Sequence, residues 1–201
     1  MLRGFCCEVK NLKNSETGTA IRNRQQAEED KIKDGFYTEI AIPEKKDEIL
    51  DLLKNFSPEV HTNADENFDW LPDGSFSIVV MKDGEEILYA DLFEDELTLG
   101  VGGWHTHYAG YLTDYRIFLE VLNEFINGRR CAVCIKSNEE WMGCFTAGAE
   151  DLSETSLVKE VNEILSAREL QKKLKEHGYR IECCFLDTSK NKVYEIAAEK
   201  E

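Results

Sequence analysis

From residue 35 onward the chain switches between two hydrophobic periods, and the switches mark out its elements. "FYTEIAI" (36–42) alternates with the period of two expected of a half-buried strand. Pro43 suits a helix start, and "EKKDEILDLLKNF" (44–56) sets Ile49, Leu52, Leu53 and Phe56 on one helical face until Ser57-Pro58 stops it. A turn-rich stretch (61–75) leads to a meander: strand 76–82, an Asp83-Gly84 hairpin signal, strand 85–93, an acidic turn (94–96) and a third strand, "LTLGVGGWHTHY" (97–108). Thr113 can cap a helix over 114–127, whose apolar stripe is Ile117, Phe118, Val121, Leu122, Phe125 and Ile126, with Asn127-Gly128 as its stop. A hairpin turning at Asn138 joins strands 129–137 and 139–148. Helices follow at 157–165 and 167–177, the second opened by a Ser166…Glu169 capping box and closed by His177-Gly178. A last hairpin pairs 179–186 with 192–197. Hairpins interrupted by helices predict an α+β domain, with an antiparallel or mixed sheet and helices packed on one face.

The polar stretch before this pattern has few apolar anchors, so residues 1–34 read as a loosely attached N-terminal segment and 35–201 as a single domain. At 201 residues and 42% hydrophobic content the chain suits one good core.

The third strand raises the chemical question. Residues two apart share a strand face, so Leu97, Leu99, Val101, Gly103, His105 and His107 fall on one side and Trp104, Thr106 and Tyr108 on the other. The histidines thus extend the apolar row and point toward the core, unless a bulge at Gly102-Gly103 reverses everything downstream. Trp104 and Tyr108 on the outer face would offer an aromatic anchor for a partner. Trp141, in another strand, reads as core. The candidate binding residues are therefore Trp104, His105, His107, Tyr108 and Trp141. A His-x-His pair can also aim two imidazoles at one zinc ion, but zinc needs further ligands. Asp91, Glu94, Glu96, Asp114, His61 and His177 are candidates without a diagnostic spacing, so no metal or other cofactor is assigned.

Charge narrows the partner. Forty acidic residues against 24 basic ones give a net charge of −16, which repels nucleic acid and anionic membrane and favours a basic protein. The absence of a signal-like segment or a long apolar run predicts a cytoplasmic protein. The seven cysteines then read as free thiols, mostly buried small hydrophobes. Cys131-Ala-Val-Cys134 lies in a strand, not at a helix start, and so lacks the setting of a redox CxxC. No phosphate loop and no nucleophile elbow occurs.

Two resemblances attach to these motifs. Gly103-Trp104-His105-Thr106-His107 resembles the ligand strand of JAMM-type zinc isopeptidases, which would make His105 and His107 zinc ligands of a hydrolase. Tyr108 stands where that family has proline, and Thr113-Asp114 comes too early for its Ser-x-x-Asp. Over a longer stretch, 97–148, the His-x-His strand end, helix 114–127, Gly128-Arg129 and Trp141-Met142-Gly143 are similar to small bacterial proteins associated with polymorphic-toxin immunity. That likeness implies a non-catalytic protein that neutralises a toxin by binding it.

Overall fold

Two antiparallel sheets account for every strand in the computed structural model, which describes residues 37–199. Glu39–Glu201 forms one compact unit. The polar segment 1–34, with Cys6 and Cys7, lies outside the described residues. The fold class is α+β, as the pattern predicts, with the strands divided between two sheets.

The first sheet has strand order β1-β2-β3-β4-β5, from Glu59–His61, Phe76–Lys82, Glu85–Leu92, Glu96–Val101 and Trp104–Ala109. Helices α1 (Lys46–Leu53) and α2 (Leu112–Ile126) share its core. Ile49 and Leu53 of α1 and Tyr115, Phe118, Leu122 and Phe125 of α2 are buried there with Ile78, Val80, Leu88, Leu97 and Leu99 of the strands. Ile117, assigned to the apolar stripe by periodicity, is 45% exposed at the margin of that face.

The second sheet, order β7-β6-β8-β9, comprises Arg130–Ser137 (β6), Glu140–Gly148 (β7), Tyr179–Cys184 (β8) and Lys192–Ile196 (β9). One face buries Cys131, Val133, Ile135, Ile181 and Cys183 with Leu157, Val161 and Leu165 from α3 (Glu154–Ile164) and its C-terminal end, and Leu174 from α4 (Arg168–His177). Ala132 and Cys184, which alternate with that set, belong to the core of the first sheet. Strand β6 is therefore apolar on both sides, which explains its unbroken buried run from Cys131 to Ile135.

Four expectations change. Of the strand expected over 36–42, the described residues form a single bridge, Glu39 to Tyr111, because Ile42 already begins the 3-10 turn Ile42–Lys45 that leads into α1. Helix α2 starts at Leu112 with Tyr111 as an N-cap that makes no side-chain bond, so Thr113 lies inside the helix. Helix α4 is preceded by Ala167, not capped by Ser166. The long strand 97–108 is a hairpin: Gly102 at φ 57° turns the chain so that Val101 pairs with Trp104. A positive φ at the first central position is what a tight two-residue turn needs, and glycine supplies it without steric cost.

Candidate functional site

That turn decides what β5 presents. Val101 faces the core, and its partner Trp104 faces the same way, so the parity of every later residue is reversed. Trp104 packs on Phe125 with ring centroids 5.6 Å apart, and Tyr108 meets Phe118 edge-on at 5.6 Å. Burial pushes the Tyr108 phenol up to about 12. His105 and His107 are exposed on the opposite face. The expectation of core-facing histidines and an outward Trp104 and Tyr108 is thus overturned by one tight turn. Trp141 is also reversed: it is 44% exposed on β7, an edge strand of the second sheet. Its Nε1 comes within 3.7 Å of where a Cβ on Gly103 would stand, beside the β4–β5 turn.

The outer face of the first sheet carries a polar row that crosses all five strands. His61 pairs with Ser77, Ser77 with Asp91, Asp91 with Thr98 and Thr98 with His107. Cross-strand partners point the same way, so these side chains share a face. Ser77 and Asp91 are buried, and the Ser77 hydroxyl donates to the Asp91 carboxylate at 2.6 Å. A run of rings lies along the 62–75 connection on this side: His61 stacks on Phe68 at 4.0 Å, Phe68 tilts toward Trp70, and Trp70 toward Phe93. At the β5 end the row opens to solvent.

There His107 Nδ1 lies 2.9 Å from Glu96 Oε1 and 3.0 Å from Thr98 Oγ1. A carboxylate only accepts, so the Nδ1–H donates to Glu96. In the neutral ring this fixes Nε2 as an acceptor. The His105 and His107 rings sit 5.4 Å apart, edge to face. In the adjoining row Tyr89 lies across Gly100, His105's partner: a Cβ at Gly100 would stand 2.1 Å from the Tyr89 ring. Among the described residues no three His, Cys, Asp or Glu side chains group closely enough to hold a metal ion. His61 is engaged with Phe68 and His177 ends α4, so neither joins the His105–His107 pair in such a group.

Electrostatics favour cations over this surface. Residues 1–36 hold six acidic and seven basic side chains, so the whole negative excess lies from residue 37 onward, 34 acidic against 17 basic. Ten of those basic residues, including Arg130, Lys136, Lys173 and Arg180, are already paired with carboxylates. The half-buried Glu96 continues into the β3–β4 turn, where Glu94 and Asp95 line a groove of about 860 Å³ with Glu39 and Tyr111. No described helix is long and apolar enough to cross a membrane.

The Gly102-Gly103 pair was the signal in the sequence for the correct orientation. It is read correctly once Val101 and Trp104 are both required to be inside. The polar row could not be read that way, because it depends on register among five strands. No family model matches the chain, and neither curated proteins nor solved structures give a significant match.

Proposed function

We propose that this is a non-catalytic acidic binding protein whose partner is a basic protein, in the manner of a bacterial toxin-neutralising immunity protein acting in the cytoplasm. The observation that carries the reading is the acidic outer face at the β5 end: the Glu96 carboxylate, bonded to exposed His107, beside Glu94 and Asp95. Arginine and lysine of a partner supply only donors, so such a face complements them. Exposed Trp141, with an apolar ring and one N–H, lies beside the turn at the other end of the β4–β5 hairpin and would anchor a partner long enough to span β5. The excess negative charge would speed encounter with a basic partner and repel nucleic acid.

The test is titration with the polypeptides encoded beside this one. The reading expects a one-to-one complex whose association rate falls steeply between low and physiological salt, and whose affinity drops when Glu94, Asp95 and Glu96 are changed to Gln, Asn and Gln. A complex indifferent to salt and to those changes would exclude this face.

A second reading, a zinc-dependent hydrolase centred on His105 and His107, is favoured by the two imidazoles sharing an exposed face 5.4 Å apart. It requires further ligands from elsewhere. It expects stoichiometric zinc that is lost in His105→Ala and His107→Ala.

A further inference from the structure

The second sheet places three cysteines side by side on the face turned toward the β4–β5 hairpin. Cys134 of β6 pairs directly with Cys144 of β7, and Cys184 of β8 lies on its diagonal, two residues beyond its partner Glu182. Cys134 and Cys184 each bear on the other's thiol, and both sulfurs meet the same two-glycine turn. What covers them is the two-glycine turn. A Cβ on Gly103 would stand 2.9 Å from Cys134 Sγ, and one on Gly102 would stand 3.4 Å from Cys184 Sγ. The Gly103 N–H points at Cys134.

The same strands hold an internal comparison. Cys131 and Cys183 bear on each other in the same way, on the opposite face. They are 0% and 1% exposed beneath α3 and α4. Cys134 is 3% exposed, but Cys184 is only half-buried, and the roof above both is a surface turn without side chains. Of the two pairs, this one lies beneath a surface turn, while Cys131 and Cys183 lie beneath two helices.

We propose that Cys134 and Cys184 form a redox-modifiable dithiol site, in which a small-molecule disulfide oxidises the pair to an intrachain disulfide. Cys134 attacks one sulfur of the small disulfide, forming a mixed disulfide and expelling one thiolate. Cys184 then attacks the Cys134 sulfur and expels the second. The pair loses two electrons and two protons, and one small disulfide becomes two thiols. The S–H donated by Cys184 and the Gly103 N–H both favour the Cys134 thiolate and hold that thiol down to about 7. Oxidation replaces the thiolate that the Gly103 N–H meets with a disulfide sulfur, at the turn out of which β5 emerges, so the redox state of the pair bears on how His105 and His107 are presented.

The experiment treats the reduced, folded full-length chain with glutathione disulfide, alkylates the remaining thiols and maps the peptides without reduction. The expected result is a Cys134–Cys184 cross-link with Cys131 and Cys183 still alkylated after denaturation. In C184S the reaction stops at glutathione on Cys134, while C131S reacts as the wild type does. Should C184S not fold, the wild-type map decides alone. A cross-link from Cys134 to Cys144, a cross-link of Cys131 to Cys183, or unreacted Cys134 and Cys184 in the folded chain overturns the proposal.

Discussion

Replacing Trp104 by alanine tests the reversal of β5 most sharply. The indole packs on Phe125 at 5.6 Å within the core of the first sheet and is half-buried. Truncating a fully buried tryptophan costs about 3–5 kcal/mol, and the part of Trp104 that stays in water reduces this to roughly 2–4 kcal/mol by area. In a domain of this size each kcal/mol moves Tm by about 2–4 °C. Thermal unfolding followed by far-UV circular dichroism should therefore show a drop of about 5–12 °C, the middle of that product. Trp141→Ala is the matched control. Its ring is 44% exposed, so its loss should cost about 1 kcal/mol or less. The reasoning fails if Trp104→Ala is as mild as Trp141→Ala, or if His105→Ala is the more damaging change, since the histidine row would then face inward.

Ser77→Ala removes the hydroxyl that donates to the buried Asp91 carboxylate at 2.6 Å, and chemical denaturation should register a loss of about 1–3 kcal/mol. Gly100→Ala forces the Tyr89 ring off its seat, and should destabilise by about 1–3 kcal/mol as an overpacked site does, with Tyr89→Ala relieving part of the cost in the double variant. His107→Ala removes an exposed ring bonded to Glu96, so stability should change by less than about 1 kcal/mol while affinity for the basic partner falls. The rate at which reduced protein reacts with glutathione disulfide should climb as pH rises toward about 7 and flatten above it, because only the Cys134 thiolate attacks. A rate that keeps climbing up to about pH 8.5, as that of an ordinary thiol does, would assign the reaction to another cysteine.

Much of the architecture was legible because local periodicity and turn chemistry agree. Asp83-Gly84 makes a hairpin with φ 52° and 84°, and Asn138 with Glu139 makes another with φ 50° and 61°. Helix α2 announces its buried face through Phe118, Leu122 and Phe125. The site was misread at one junction. "GVGGWH" looks like a continuing strand to any period-two count, and only the two-residue turn shows that Trp104 follows Val101 inward. Trp141 takes its face from a register shift in the β6–β7 ladder: Ile135 pairs with Gly143 but Lys136 with Trp141, so the extra residue Met142 reverses the parity, which no pattern in β7 alone announces. The cysteine cluster and the polar row share that cause, since each is assembled by register between strands distant in sequence.

The most direct test of the binding account is a single titration of the protein with its neighbouring-gene products, read by association rate across ionic strength. The account predicts a stable complex with one basic polypeptide, an association rate falling by tenfold or more as salt rises, and a weaker complex for the Glu94, Asp95 and Glu96 neutralised variant. Contradiction would come from the absence of any complex together with stoichiometric zinc bound through His105 and His107, which would move the surface from partner recognition to metal chemistry.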